Sequence, residues 1–220
     1  MAKTINIKGV IVPDSDAQIY EWFGIEHVSA KSISDALHDA DGDDVIVRIN
    51  SGGGDIFAGS EIYDLIASYK GNVLIRVVGM AASAASVIAM AAESEIAPTG
   101  LIMIHNVRSY AAGDYRDMER SADALKEANR SIMAAYRDKT GLEESELLNF
   151  MDNETFMSAD TAVERGFINK ISDYGKETKT PDSGMQLAAA MTGLLPAATI
   201  KKFRAEHAKA QAQLDLLKIM

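Results

Sequence analysis

The feature that most constrains this chain is a turn rich in glycine and alanine, residues 79–86, that lies between two apolar segments. The preceding segment, 73–78, is β-branched and apolar, which predicts a buried strand. The following segment, 87–92, predicts a buried helix. Gly79 allows the chain to change direction without a Cβ clash. The sequence therefore predicts a strand, a tight turn and a helix, with Ser83 in the turn.

Two roles are open for Ser83. The free N–H groups and the dipole at the head of a helix favour a developing negative charge, which suits a nucleophile. Serine is also among the commonest N-cap residues, and that role requires no chemistry. The turn by itself does not decide between them.

Composition excludes several function classes. The net charge of −10 and the pI near 4.9 argue against nucleic acid or an anionic membrane as partner. The absence of cysteine excludes disulfides, thiolate metal sites and a cysteine nucleophile. The first residues lack the apolar core of a signal peptide, and no apolar run is long enough to span a bilayer. We expect a cytoplasmic, soluble protein without a metal or cofactor.

Hydrophobic patterning predicts an α/β fold. We expect strand, helix, strand, helix over residues 45–92, which is typical of parallel strands joined by crossover helices. Residues 12–28 show no regular pattern, and a long helix with one charged face is predicted over 115–139. The strands are predicted at 5–11, 45–50, 73–78, 95–97, 101–105 and 167–171, and the other helices at 29–40, 56–68, 87–92, 143–151 and 158–165.

The composition changes near residue 173. We predict a domain over 1–172, a linker over 173–198, where Gly, Lys, Thr, Pro and Asp gather, and a helical tail over 199–220.

A serine hydrolase requires a base and oxyanion donors besides its nucleophile. His105 is the candidate base because it alone of the four histidines ends an apolar strand, although a histidine without function is equally common there. The glycines 52–54, directly after a strand, offer unobstructed backbone N–H groups. A phosphate-binding loop is the alternative for them, but the Walker lysine and the dinucleotide spacing are absent.

Several motifs together resemble the proteolytic subunit of the Clp protease, a serine peptidase family of the ClpP/crotonase superfamily. The resemblance covers residues 5–172. It rests on Ile49-Asn50-Ser51-Gly52-Gly53-Gly54, Ala58-Gly59, Ile62-Tyr63-Asp64, Gly79-Met80-Ala81-Ala82-Ser83, Ile102-Met103-Ile104-His105, Phe156-Met157-Ser158-Ala159 and Ala162-Val163-Glu164-Arg165-Gly166-Phe167-Ile168. It implies repeated β-β-α units, a mostly parallel sheet, a protruding handle helix and, here, a C-terminal helical tail.

The resemblance also implies roles for single residues. Ser83 would be the nucleophile, His105 the base, and the backbone N–H groups of Gly54 and Ala84 the oxyanion hole. Gly52 stands where the family usually has proline, a change that loosens the loop without removing its donors.

The triad acid is the least regular part of the resemblance. The family's aspartate lies two residues before the Phe of the Phe-x-Ser-Ala segment, and that position is Glu154. Asp152, two residues earlier, is the alternative acid.

The family binds its peptide as an added strand, through main-chain pairing. The resemblance therefore implies two cleft edges, formed by residues 54–56 and 106–108. The residues expected to bind substrate are Gly53, Asp55, Ile56, Asn106 and Val107.

The resemblance also implies protein or peptide substrates and a self-assembled homo-oligomeric ring, stacked in pairs through helix 115–139. No axial loop for an ATPase is recognisable, and an ATPase partner is left open. The Gly-Gly-Gly-Asp and Glu-Thr-Phe-Met-Ser-Ala forms and the alanine-rich tail resemble phage and prophage head maturation proteases, which process capsid or scaffold proteins. The alternatives are an ATP-dependent Clp proteolytic subunit, a catalytically silent scaffold and an acyl-CoA enzyme of the crotonase type.

Overall fold

A computed structural model describes residues 2–173, 195–196, 198–203 and 205–206. The strands in the described residues are β1 Lys3–Ile11, β2 His27–Val28, β3 Val45–Gly54, β4 Val73–Ala82, β5 Glu93–Ile96, β6 Leu101–Ile104, β7 Thr155–Ser158 and β8 Lys170–Ile171. The helices are α1 Asp14–Trp22, α2 Ala30–Ala40, α3 Ile56–Ala67, α4 Ala84–Ile88, α5 Tyr115–Thr140, α6 Glu144–Asp152 and α7 Ala159–Glu164. A further helical segment lies at 198–203.

The sheet is parallel apart from one strand. Its order is β2-β1-β3-β4-β5-β8, and β6 pairs with β4 off this path. Only β7 runs antiparallel, against β6. The predicted α/β architecture with a mostly parallel sheet is confirmed.

The sheet divides at Gly79, because β4 changes its partner there. Its residues 74–77 pair with β5, and its residues 80–82 pair with β6. The side chain of Asn50 fills the break, where its Oδ1 accepts a hydrogen bond of 3.1 Å from the N–H of Met80. A Cβ on Gly79 would lie 2.3 Å from that oxygen, so only glycine leaves room for the amide. The second half of β4 is thereby directed toward β6 and carries Ser83 at its end.

The core lies where the central strands meet α3 and α4. Ile49, Ile75 and Val77 are fully buried, as is Ile62 of α3. A Cβ on Gly59 would lie 2.9 Å from the Cβ of Ala84, so α3 approaches α4 closely. Burial of these aliphatic side chains, each worth about 1.5–3 kcal/mol, fixes the two helices against the sheet below Ser83.

Several sequence predictions differ from the structure. Residues 79–82, predicted to lie in the turn, extend β4, and the strand predicted at 167–171 is limited to Lys170–Ile171. Residues 12–28, predicted to be irregular, contain α1 and β2; α1 follows Pro13 and buries chiefly Ile19 and Tyr20, too few positions for a visible helical period. The helix predicted at 87–92 is α4, Ala84–Ile88, which begins directly after Ser83 and ends four residues before the predicted end. Residues 155–158, predicted to lead into a helix, form β7, which is held by its register with β6 rather than by its own pattern.

Much of the predicted linker 173–198 and tail 199–220 lies outside the described residues. Where the structure describes this region, the backbone N–H of Leu195 donates to the Tyr20 hydroxyl at 2.7 Å. The ring of Phe203 packs edge-on against Trp22 at a centroid distance of 4.8 Å and also against Phe23 at 5.4 Å. Among the described helices, none has the length and apolar character needed to cross a bilayer.

Candidate active site

Ser83 occupies a strained turn between β4 and α4. Its backbone has φ 55° and ψ −128°, a left-handed conformation that costs a non-glycine residue on the order of 1–3 kcal/mol. Its N–H donates to the carbonyl of Met103 at 3.0 Å, and its carbonyl accepts from the N–H groups of Ser86 at 2.9 Å and Val87 at 3.4 Å. Although Ser83 lies at the N-cap position, its side chain makes no capping hydrogen bond.

The Ser83 hydroxyl contacts His105 instead. The Oγ of Ser83 lies 2.8 Å from the Nε2 of His105. The register explains the meeting, because Ala82 of β4 pairs with Met103 of β6 and both parallel strands end at the same edge of the sheet. The structure thus brings together the two residues that the sequence singled out, 22 positions apart. A hydroxyl and an imidazole in this contact are suited to nucleophilic catalysis with a general base.

The surroundings of His105 favour its neutral form. Partial burial lowers the pKa of the imidazole, and the nearby positive charge of Arg108 lowers it further. A neutral imidazole that accepts a hydrogen bond from Ser83 at Nε2 carries its own hydrogen on Nδ1. That Nδ1 is buried and has no hydrogen-bond partner in the part of the chain that the structure describes.

Each candidate acid has another partner. Glu154 forms an ion pair with Arg108, and Asp152 accepts a hydrogen bond of 2.7 Å from the Nδ2 of Asn106. Both acids are therefore tied to the segment that directly follows His105. Glu154 has φ 46°, a left-handed conformation that is uncommon for a residue with a side chain. A contact between either carboxylate and His105 remains a prediction.

The glycine segment lies directly against Ser83. A Cβ on Gly53 would lie 2.6 Å from the Cβ of Ser83 and 3.0 Å from the backbone nitrogen of Ala84. A Cβ on Gly54, whose φ is 153°, would lie 2.0 Å from the carbonyl oxygen of Ile11. The end of β3 approaches both the turn and β1 because these residues have no side chain. Ala84 is the first residue of α4, so its N–H has no acceptor within that helix.

Ser83 and His105 open onto a cleft of about 420 Å³. Of the residues expected to bind substrate, Asp55, Ile56 and Val107 line this cleft, as does Gly54. Gly53, Asn106 and Ala84 are not among its lining residues. The remaining lining residues are Phe57, Arg108, Ser109, Ser121, Ala124, Leu125, Ala128 and Ile132.

One wall of the cleft belongs to α5, and the sequence did not predict it. Its lining side chains are small or apolar and carry no charge. The Oδ1 of Asn129 on the same helix accepts a hydrogen bond of 2.7 Å from the N–H of Val107 and so fixes the segment after His105. The signal in the sequence was the helical recurrence of Leu125, Ala128 and Ile132, which indicates a buried face but not what that face contacts.

Over the residues that the structure describes, no group of three or more His, Asp or Glu side chains is placed to hold a metal ion.

Comparison with known proteins places this geometry in a family. The model of the Clp protease family matches residues 22–175. The ATP-dependent Clp protease proteolytic subunit of Deinococcus radiodurans is 31% identical over 139 residues, which are 62% of this chain and 68% of that protein. The ATP-dependent Clp protease proteolytic subunit 2 of Treponema denticola is 32% identical over 136 residues, 60% of this chain and 68% of that protein.

Solved structures agree. A ClpP1 mutant from Listeria monocytogenes superimposes with a TM-score of 0.64 at 25% sequence identity, and the match covers 78% of this chain and 91% of that one. The matched family region includes Ser83, His105 and both candidate acids. The chain belongs to the Clp protease family of serine endopeptidases.

Proposed function

We propose that this chain hydrolyses peptide bonds with Ser83 as the nucleophile and His105 as the general base. The observation that carries the proposal is the 2.8 Å contact between the Ser83 Oγ and the His105 Nε2 at the mouth of a cleft. The lowered pKa of His105 supports it, because a base must be unprotonated to accept a proton.

The steps follow from the positions of the groups. His105 Nε2 takes the hydroxyl proton of Ser83 as the oxygen attacks the scissile carbonyl carbon. The N–H groups of Gly54 and Ala84 donate to the resulting oxyanion. His105 then gives its proton to the leaving amine, and water hydrolyses the acyl-enzyme by the same route. Two observations support the oxyanion role of these N–H groups. Gly54 lines the cleft, and the N–H of Ala84 has no acceptor inside α4.

We assign the triad acid to Glu154, with Asp152 as the alternative. The buried, unpaired Nδ1 of His105 supports the presence of an acceptor in the active state. In the structure the Glu154 carboxylate pairs with Arg108, and the Asp152 carboxylate accepts from Asn106, so either acid would have to reorient to accept from His105.

The peptide would bind as an added strand between residues 54–56 and 106–108. Support comes from Gly54, Asp55, Ile56 and Val107, which line the cleft on both sides of Ser83. The uncharged wall of α5 favours small or apolar side chains in the peptide.

Assembly into a ring would use the protruding part of α5. Tyr115 and Met118 near its start are 66% and 38% exposed, and exposed apolar side chains of this size favour an interface. A ring, stacked in pairs through α5, would enclose the active sites.

We further infer that the substrates are capsid or scaffold proteins of a phage or prophage, which the enzyme trims during head maturation. The support is the form of two motifs, Gly52–Asp55 and Glu154–Ala159, and the alanine-rich composition after residue 173. A second candidate, an ATP-dependent proteolytic subunit, is favoured by the names of the relatives from Deinococcus radiodurans and Treponema denticola.

Labelling with a fluorophosphonate probe tests the nucleophile. We expect one adduct by intact mass, which Ser83→Ala abolishes because Ser83 is the serine whose Oγ contacts the imidazole of His105. Ser109→Ala is the matched control, because this serine lines the same cleft and its loss leaves the adduct in place. An adduct that persists in Ser83→Ala would contradict the assignment, and an unlabelled wild type would favour a silent scaffold.

Two isosteric variants identify the acid. We expect Glu154→Gln to lower kcat for a peptide substrate by a factor on the order of 10³–10⁴, as loss of the acid does in other triads. We expect Asp152→Asn to retain activity, because its carboxylate serves only to hold Asn106. The opposite ranking would transfer the role to Asp152, and two active variants would show that this triad has no acid.

The pH profile of kcat/KM reports on His105. Because burial and Arg108 lower the pKa of His105, we expect the acidic limb below the usual histidine value of about 6.5. Arg108→Gln removes a positive charge that disfavours the imidazolium, so the pKa rises and the limb moves to higher pH. Arg120→Gln breaks an exposed ion pair elsewhere and should leave the limb in place. A limb that stays fixed or moves down in Arg108→Gln would exclude this coupling.

Removal of residues 173–220 separates catalysis from substrate recruitment. We expect unchanged hydrolysis of a short peptide, because the proposed catalytic groups lie within 1–172. We expect loss of cleavage of a capsid precursor, because we propose that the tail recruits the protease into the assembling particle. Both activities of the truncated protein are compared with those of the full chain at an equal folded fraction, which is judged by thermal unfolding. Loss of peptide hydrolysis in the folded truncated protein would refute this separation of catalysis from recruitment.

Degradation of a folded protein only with a Clp ATPase and ATP would support the second candidate, an ATP-dependent proteolytic subunit, instead.

A further inference from the structure

A buried chain of hydroxyl groups connects α5 to the backbone of Ser83. The Oγ of Ser86 lies 2.6 Å from the carbonyl oxygen of Ser83, and the hydroxyl of Tyr136 lies 2.8 Å from the same Oγ. Ser86 and Tyr136 are both fully buried. Neither residue lines the cleft, so neither touches a bound peptide.

The direction of these hydrogen bonds follows from their chemistry. A carbonyl oxygen only accepts, so the single hydroxyl hydrogen of Ser86 points to the Ser83 carbonyl. The Oγ of Ser86 is then left with lone pairs only, and the phenol of Tyr136 donates to it. Burial raises the pKa of Tyr136 well above its usual range, so the phenol keeps its hydrogen.

The two hydroxyls are not explained by the packing of the core. All the other residues of α4 are alanine, valine or isoleucine, and Ser86 is its single polar side chain. Phenylalanine would fill the place of Tyr136 against Phe167 without a hydroxyl to desolvate. The hydroxyl groups therefore serve an interaction, and that interaction ends on the carbonyl of Ser83.

We propose that Tyr136 is a positioning residue for Ser83, acting through Ser86. By fixing the Ser83 carbonyl, the pair holds the left-handed backbone of the turn and so keeps the Ser83 Oγ directed at His105. The inference rests on the proposed role of Ser83 as nucleophile. Because Tyr136 makes no contact with the peptide in this proposal, loss of its hydroxyl affects the acylation step rather than peptide binding.

The test compares Tyr136→Phe, Ser86→Ala and the double variant with the wild type. We expect each single variant to slow fluorophosphonate labelling of Ser83 and to lower peptide kcat by about 3- to 10-fold, the effect of one lost hydrogen bond, with KM unchanged. Because Tyr136 acts through Ser86, the double variant should be no slower than Ser86→Ala.

Tyr20→Phe is the matched control, because it too removes a hydrogen-bonded hydroxyl from a fully buried tyrosine. We expect it to lower the unfolding midpoint without changing the labelling rate. Equal slowing in Tyr20→Phe, or additive effects in the double variant, would overturn the proposal.

Amide hydrogen exchange in the peptide that covers Ser83 and Ser86 measures the turn without any catalysis. We expect faster exchange in Tyr136→Phe and no change in Tyr20→Phe. Unchanged exchange and labelling in Tyr136→Phe would refute the positioning role while leaving the nucleophile assignment intact. A wild type that is not labelled, although its exchange responds to Tyr136→Phe, would refute the nucleophile assignment and with it the catalytic role of this pair.

Discussion

The close approach of the glycine segment to Ser83 is the constraint on which the rest of the site depends. No Cβ fits at Gly53, where it would meet Ser83, or at Gly54, where it would meet the carbonyl of Ile11. The end of β3 is therefore enclosed by β1 on one side and by the turn on the other. Because neither neighbour can move away without breaking strand pairing, the turn keeps its left-handed backbone although that conformation is unfavourable for serine.

Much of the fold was predictable because the central strands carry their own signal. The segments of β1, β3 and β4 are β-branched and bounded by turn residues, and the structure shows strands that include each predicted range. Elements whose stability comes from partners were not predictable. The four residues of β7 bury chiefly Met157 and become a strand only because β6 offers an unpaired edge. Likewise α4 begins three residues early because the turn, not the apolar run, determines where it starts.

The site likewise contains residues that the sequence predicted and residues that it did not. Ser83 was recognisable from its place in a turn between an apolar strand and a helix, and His105 from its place at the end of an apolar strand. Parallel strands bring such positions to one edge. The wall formed by α5 was not recognisable, since the period of a helix shows which face is buried but not against what. Asn129 and Tyr136 reach the site from that helix and contact the segment after His105 and the turn of Ser83, respectively. Their roles depend on how α5 is docked, which no local pattern specifies.

The Nδ1 of His105, buried and unpaired among the described residues, allows the proposed acid contact to be weighed against the contact that Glu154 makes in the structure. A buried N–H without an acceptor costs about 1–3 kcal/mol. The ion pair of Arg108 with Glu154 has side chains 57% and 48% exposed, and pairs of that kind contribute about 0–1 kcal/mol. The exposed ion pair therefore contributes less than the unpaired N–H costs. If Glu154 is the triad acid, as we propose, its carboxylate would offset the positive charge that His105 acquires when it takes the proton of Ser83, a charge that Arg108 opposes.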